Sequence, residues 1–396
     1  MKRIVKTLVQ AAYDSLFFLV VLVAIPLVPL RLLNRKLGLW KMVSLWSGSP
    51  ILNMGINARA ERLLGVNARS LVYTTYFITR EFDYDLSRWF SVPLIGKLVP
   101  FPVFLWACLT AERLHFYCDR GLIPSLDPFR LNELEFMVYR LLRIPVFFWT
   151  YGADVRAREV TRALGEPNCC TECTLVGRAC ICDDRKQKRH MERLRRYATA
   201  VFSMGDMIEY TPGSRNDLFF WPIDHRQQRY DPAYPATDAA RPLRIVHSPN
   251  HPMFKGTHFL VEAVETLKGE GVNIELVMVQ GVPNTEALEM YRTADVIFDG
   301  CLIGFHGFLA IEGMTMGKAV MCNIRKPENY LLTPEECPII SCHPDTLRDD
   351  LRRLAENREL VHERGVRGRE YIEKYFTLEA YAERLACAYR DAGVPL

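Results

Sequence analysis

Beyond residue 49, short runs of β-branched and aromatic residues alternate with stretches in which apolar residues return every three or four positions. This is the pattern of strands alternating with helices. In the first half it predicts a short strand at Ile51 to Met54, a helix at Ala58 to Leu64 closed by Gly65, and a strand at Ser70 to Ile78. His115 to Cys118 reads as a strand edge, Leu131 to Leu142 as a helix, and Pro145 to Thr150 as a buried strand entering Tyr151-Gly152-Ala153-Asp154. A basic helix at Arg185 to Tyr197 and a strand within Ala198 to Asp206 follow. The second half is more regular. Strands at 243–247, 274–280, 294–298 and 319–323 are separated by helices at 257–268, 285–291 and 308–316, and helices near 346–356, 359–373 and 378–391 finish the chain. Between the halves, Arg229 to Pro242 carries three prolines and little apolar periodicity, which marks a domain boundary. The fold class is α/β with parallel sheets.

One apolar stretch departs from this alternation. Ser15 to Leu30 is 16 residues without a charge, about 24 Å as a helix and short of the roughly 30 Å hydrocarbon core. Pro26 and Pro29 interrupt its later turns. No small-x-small cleavage site follows, so a short span, a membrane-embedded helix or hairpin, and a buried helix stand ahead of a cleavable leader. Charge sharpens this picture. Residues 1–41 hold seven basic groups (Lys2, Arg3, Lys6, Arg31, Arg35, Lys36, Lys41) against Asp14 alone, while the whole chain is only +4. The body is therefore close to neutral, which argues against a nucleic-acid partner. Its 396 residues favour two domains over one, and 23 glycines and 23 prolines exclude collagen-like and low-complexity readings.

Of the 12 cysteines, seven are scattered, several in apolar contexts, as suits a reducing compartment. The other five lie in Cys169 to Cys182. Cys170-x-x-Cys173 and Cys180-x-Cys182 have the short spacings of a tetrahedral thiolate site, so a structural zinc is expected there, with a disulfide or free thiols as alternatives. The basic helix that follows is either a solvated face or a patch for anionic headgroups or a diphosphate-linked lipid.

The candidate chemistry is concentrated in the second half. A strand ends at His247, and Lys255-Gly256-Thr257 opens an amphipathic helix, where a mobile cation and first-turn amides can hold a diphosphate. In Ala294 to Asn323 a strand leads into a loop with Gly304, His306 and Gly307, then a helix carrying Glu312, whose carboxylate can accept two hydroxyl hydrogen bonds from a ribose.

Together these segments resemble the donor-binding half of GT-B glycosyltransferases of the family 4 type, a resemblance that covers residues 243–325 best. It implies two Rossmann-like domains facing across a cleft, behind the membrane-associated hydrophobic helix. The expected units are a membrane segment over 1–41, an acceptor-side domain over 42–235 with a Cys-rich insertion at 169–182, a donor-binding domain over 236–376, and a C-terminal helix over 377–396 returning to the first domain. The family's Lys-Gly pair matches Lys255 and Gly256, and its E-x-M-x-x-G segment matches Glu312, Met314 and Gly317. Where the family has His-Gly-x-Asp, this chain has Tyr151-Gly152-Ala153-Asp154; where it has an acid eight residues before Glu312, this chain has Gly304. The implied activity is retaining transfer of a hexose-type sugar from a nucleotide diphosphate sugar to a membrane-associated saccharide or lipid-linked acceptor, without a catalytic metal. Lys255, Asp154, Arg156 and Tyr151 are the expected catalytic residues, and His247, Lys255, Gly256, Gly304, His306, Gly307 and Glu312 the expected donor contacts. The alternatives are a membrane-bound scaffold without turnover, acting with polysaccharide-assembly proteins, and a nucleotide-sugar epimerase. The expected location is the cytoplasmic face of a membrane, peripheral, monotopic or single-pass.

Overall fold

The computed structural model describes residues 2–76, 79–125, 130–178, 180–218 and 221–396, with side chains from Thr7 onward. Two helices open the chain, α1 (Lys2–Ala24) and α2 (Leu27–Leu37). The first sheet is built from β1 (Val43–Ser47), β2 (Ala68–Val72), β3 (Tyr84–Asp85), β4 (Ala111–Tyr117), β5 (Val146–Trp149) and β6 (Ala200–Phe202), in the order β3-β2-β1-β4-β5-β6. Its helices are α3 (Leu52–Arg62), α4 (Ser87–Phe90), α5 (Ile95–Leu98), α6 (Pro100–Thr110), α7 (Glu133–Leu141), α8 (Arg158–Ala163) and α9 (Asp184–Tyr197). All its strand pairs are parallel.

The second sheet, also parallel, has the order β10-β9-β7-β8, from β7 (Leu243–His247), β8 (Ile274–Met278), β9 (Val296–Gly300) and β10 (Ala319–Cys322). Around it lie α10 (Pro252–Lys255), α11 (Thr257–Gly269), α12 (Asn284–Arg292), α13 (Phe308–Thr315), α14 (Pro327–Tyr330), α15 (Leu347–Glu356) and α16 (Arg358–Tyr375). The last helix, α17 (Leu378–Asp391), leaves this sheet and packs on α3 of the first.

Three expectations are corrected. Residues 51–54 are not a strand: Leu52 begins α3, and the strand role falls to Val43–Ser47, whose five side chains are all buried. The Ser44 hydroxyl donates to Glu61 at 2.8 Å and that of Ser47 to the Leu71 carbonyl at 2.9 Å, so polar residues sit in this central strand without an unmet hydrogen bond. His115 lies within a central strand, between β1 and β5, rather than on an edge. The strand expected at 70–78 ends at Val72, and residues 77 and 78 lie outside those described.

Glu61 organises the first half. It is fully buried and also accepts from Trp46 Nε1 at 2.6 Å and from the Tyr389 hydroxyl of α17 at 2.8 Å. Arg113 lies 3.8 Å from the same carboxylate and donates to the Pro395 carbonyl at 2.8 Å. The chain thus passes between the halves twice, through residues 223–242 and back at Phe376. The two passages are joined where the Ile223 amide donates to the Phe376 carbonyl at 2.8 Å.

α1 contains the one stretch among the described residues, Thr7–Ala24, long and apolar enough to cross a bilayer by length and composition. One face of it, Phe17, Val21 and Ala24, is buried, and Phe17 meets Phe101 and Phe104 of α6 at ring distances of 6.0 and 4.9 Å. Arg31 of α2 is also buried and donates to the carbonyls of Cys108 and Leu109 at 3.2 and 3.4 Å, satisfying acceptors that the last turn of α6 leaves open.

Candidate functional site

In the second sheet β7 is followed by β8 on one side and β9 lies on the other, so the strand order reverses at the β7–β9 boundary. A crevice is expected outside the carboxyl ends of such a pair, and Lys255 stands there. The peptide after β7 makes the single helical turn α10, then Gly256 takes φ 74° and redirects the chain into α11. A Cβ at Gly256 would lie 2.4 Å from Cys301 Sγ, so both the φ and the close approach demand glycine. Lys255 Nζ is 2.6 Å from Asp299 Oδ1, and the Gly307 amide also donates to Asp299. Burial pushes the Asp299 carboxyl up, but Lys255 and the Gly307 amide outweigh it and hold it below the usual carboxylate range. The cation is thus held close to the glycine loop, with a fifth of its side chain open to solvent.

The other expected donor contacts divide. His247 is buried with both ring nitrogens engaged, Nδ1 to the Phe298 carbonyl and Nε2 to Thr257 Oγ1, each at 2.8 Å. Burial lowers its pKa to about 4, so the ring is neutral; Nδ1 donates and Nε2 accepts. His247 therefore ties β7, β9 and α11 together. His306 is buried against Phe305 at 4.2 Å and is likewise lowered by burial to about 4. Gly304 lies against Arg325, whose guanidinium carbon would be 2.7 Å from a Cβ there. Glu312 is buried on α13, 3.4 Å from both the Tyr230 hydroxyl and Asn284 Nδ2, and burial raises its carboxyl to about 7. Tyr291 is raised above the usual phenol range by burial and then by the Glu312 charge. Ser248 is one wall of a cleft of roughly 260 Å³ at the carboxyl ends of β7 and β8, lined also by Asn250, Gln280, Gly281 and Val282.

On the first sheet, Asp154 is buried and its Oδ1 accepts the amides of Tyr151 and Gly152 at 3.0 and 2.9 Å. It caps the turn after β5, and burial, then the Asp119 charge, raises it to about 7. Tyr151 is half-buried and is raised well above the usual phenol range chiefly by burial. Arg156 pairs with Asp206 at 2.8 Å. Next to Asp206, Gly205 packs on the ring of Phe305, and Glu209 accepts from Lys326 at 2.6 Å and from Tyr330 at 2.8 Å. Arg156 and the His306 loop are thereby brought to one seam between the halves, whereas Tyr151 and Asp154 lie beneath the first sheet's own edge.

The cysteine loop crosses the same seam. Glu172 reaches His258 of α11 at 3.4 Å and Thr174 donates to Met253 Sδ at 2.9 Å. Among the described residues, no three His, Cys, Asp or Glu side chains converge so as to hold a metal. The four thiols expected to hold a zinc, Cys170, Cys173, Cys180 and Cys182, do not converge in this arrangement. Cys173 and Cys182 accept the amides of Leu175 and Gly177 at 3.2 and 3.3 Å.

Asp299, Arg325, Asp119 and Asn284 were not singled out from the sequence. Asp299 follows the apolar run Val296-Ile297-Phe298, and its acid in a strand's last turn was the available signal.

No protein-family profile matches the sequence, and neither does any curated protein. Solved structures do match in shape. A sucrose-phosphate synthase from Thermosynechococcus elongatus is 13% identical with a TM-score of 0.56, covering 89% of this chain and 99% of that one. The Anabaena protein HepE, solved with UDP and glucose, is 10% identical with a TM-score of 0.55 over 88% and 100%. A glycosyltransferase from Rickettsia africae is 11% identical with a TM-score of 0.51 over 89% and 98%. The fold is GT-B. In GT-B terms, the two parallel sheets are the two Rossmann-like halves, and Lys255 and the 304–307 loop occupy the carboxyl edge of the second.

Proposed function

We propose that this GT-B protein is a glycosyltransferase that moves a hexose-type sugar from a nucleotide diphosphate sugar, by retaining transfer, to a membrane-associated saccharide or lipid-linked acceptor. The observation that carries the reading is Lys255, a partly exposed cation at the carboxyl ends of β7 and β9, held by a single carboxylate beside the glycine loop. A diphosphate competes with Asp299 for this ammonium and adds the first-turn amides of α11. The adjoining cleft takes the nucleoside, with Glu312 beneath it for the ribose hydroxyls. Retaining transfer needs little beyond positioning and charge stabilisation of the departing diphosphate, whose own oxygen assists the incoming hydroxyl. Arg156 contributes positive charge from the seam, and Asp154 shapes the turn that leads to it. UDP and GDP titrated by calorimetry, followed by a donor-hydrolysis assay, test the proposal. Binding of a nucleoside diphosphate with donor turnover supports it, and no binding of either overturns it.

One set of contacts favours a second reading, a scaffold without turnover. Asp154, His247 and His306 are buried and bonded internally. Donor binding without hydrolysis or transfer under any acceptor would select it.

The same proposal sets the protein on the cytoplasmic face of a membrane in a monotopic manner. Phe17, Val21 and Ala24 of α1 face the body and α2 is held by Arg31, which supports an in-plane arrangement over a spanning one. Their opposite faces, including Phe18, Leu19, Leu22, Leu32 and Leu33, are exposed. Deleting residues 1–36 should release the protein from membranes at high salt.

A further inference from the structure

One cation at the carboxyl edge of the second sheet has no counter-ion. Around the glycine loop and the seam, side chains of opposite charge pair one to one: Lys255 with Asp299 at 2.6 Å, Arg156 with Asp206 at 2.8 Å, and Lys326 with Glu209 at 2.6 Å. Arg325 is left over. It makes no ion pair among the described residues, and Glu209, which feels its charge, is already taken by Lys326 and by the Tyr330 hydroxyl. Its Nη1 is buried without a partner among the described residues, a costly arrangement for a charged donor.

The backbone holds this guanidinium in place. Residues 323–325, which leave β10, are bonded along the glycine loop: the Asn323 amide donates to the Gly300 carbonyl at 2.9 Å, Asn323 Nδ2 to that of Cys301 at 3.0 Å, and the Arg325 amide to that of Gly304 at 3.1 Å. Arg325 Nη2 donates to the Leu302 carbonyl at 3.4 Å. Gly304 takes φ 93°, and a Cβ there would stand 2.7 Å from the guanidinium carbon, so both the turn and the seat of the arginine need glycine. The side chain as a whole keeps partial exposure.

Its position across the sheet says which part of a donor it meets. The strands run in the order β8-β7-β9-β10. The cleft proposed for the nucleoside opens at the ends of β7 and β8, and Lys255, proposed for the diphosphate, lies against Gly300 at the end of β9. Arg325 follows β10. Neighbouring strands are about 4.8 Å apart, so Arg325 falls one strand beyond the diphosphate, on the side away from the nucleoside. The part of a nucleotide sugar that reaches this place is the sugar. A neutral hexose offers it only hydroxyls, whereas a hexuronic acid, whose C6 is a carboxylate, offers two charged oxygens spaced to match the guanidinium fork.

We infer that Arg325 selects a hexuronosyl donor, its guanidinium pairing with the C6 carboxylate of the sugar while Lys255 holds the diphosphate. The inference rests on the donor site proposed above and names the class of sugar that site takes. A neutral donor of the same shape leaves the guanidinium unpaired, so discrimination comes from the counter-ion that the wrong sugar lacks.

Calorimetry on the full chain tests this with UDP and with two matched pairs, UDP-glucuronate against UDP-glucose and UDP-galacturonate against UDP-galactose. If GDP is the nucleotide that binds, GDP-mannuronate against GDP-mannose replaces them. In at least one pair wild type should hold the uronosyl member about fivefold tighter, and Arg325→Ala should weaken that member alone by about the same factor, with the thermal midpoint near wild type. Arg325→Lys, which keeps the charge, should retain part of the preference, and it carries the comparison if the alanine variant does not fold. No preference in any pair overturns the inference and leaves the nucleotide site standing. Equal weakening of UDP and of the uronosyl donor by Arg325→Ala also overturns it, by placing Arg325 on the diphosphate. No binding of UDP or GDP overturns the donor site and this inference with it.

Discussion

The carboxyl edges of the two sheets carry titratable groups of opposite kind. At the second sheet the leading group is Lys255, partly open and matched by one buried carboxylate at 2.6 Å. At the first, the leading groups are Asp154 and Asp119, both buried, with Asp154 spending one oxygen on two backbone amides. A cation held by a single exchangeable partner is suited to receive an anion. A carboxyl held by its own turn is suited to keep a loop in shape. The GT-B halves share an architecture yet differ in what their edges leave available, and that difference, rather than the architecture, is where the functional argument lies.

The comparison can be broken most forcefully through Glu61. If the first half is held chiefly by its buried polar centre, Glu61→Ala strands Ser44, Trp46 and Tyr389 and leaves Arg113 without its carboxylate. A loss of about 3–5 kcal/mol in urea unfolding is expected, the scale for breaking a buried ionic centre. A loss below about 1 kcal/mol would mean that packing alone carries this half.

Titration sharpens the contrast within the second half. The Glu312 carboxyl, raised to about 7 by burial from its usual 4.5, keeps its proton in the folded protein over a range in which the unfolded chain releases it. Stability should therefore fall as pH rises from about 4.5 to 7 relative to Glu312→Gln, by on the order of 2–3 kcal/mol. Parallel stability curves for the two proteins would show that Glu312 titrates normally.

Lys255→Ala should weaken nucleoside diphosphate binding by roughly tenfold or more, about 1.4 kcal/mol. It also leaves buried Asp299 unpaired, so the single variant should be less stable than wild type. Lys255→Ala/Asp299→Asn should recover stability without recovering affinity, and recovery of both would remove Lys255 from the binding site. The smallest effect belongs to Arg325, whose Nη1 is buried without a partner among the described residues beside Gly304. Arg325→Ala should lower donor affinity by about 1 kcal/mol if that nitrogen serves the ligand, and calorimetry would register no change if it only fills space.

Much of the second half was legible from spacing because its central strands carry short apolar runs, Ile245-Val246 and Val296-Ile297-Phe298, and its helices repeat every three or four residues. β1 was not, because Ser44, Trp46 and Ser47 read as polar or irregular until Glu61 and the Leu71 carbonyl supply their partners from distant sequence. The same limit applies to the site. Lys255-Gly256 stands out locally, since a φ of 74° and a helix start are written in adjacent residues. The carboxylate that holds Lys255 lies 44 positions away, and no spacing rule links the two. The four cysteines satisfy a spacing rule, yet two of them, Cys173 and Cys182, accept backbone amides of their own loop, and spacing carries no information about that competition.

The paired passages between the halves have a mechanical consequence. Residues 223–242 and Phe376 run side by side, joined by the Ile223 amide, and Arg369 braces them by donating to the carbonyls of Tyr230 at 3.1 Å and Thr315 at 2.6 Å. Two adjacent strands of chain resist sliding and twisting, so that once the seam contacts of Glu209 with Lys326 and Tyr330 part, the turn they oppose least is about a line through both. The width of the cleft is then a single angular coordinate, and Lys255 and Arg156, on opposite leaves, change their separation together whenever that angle changes.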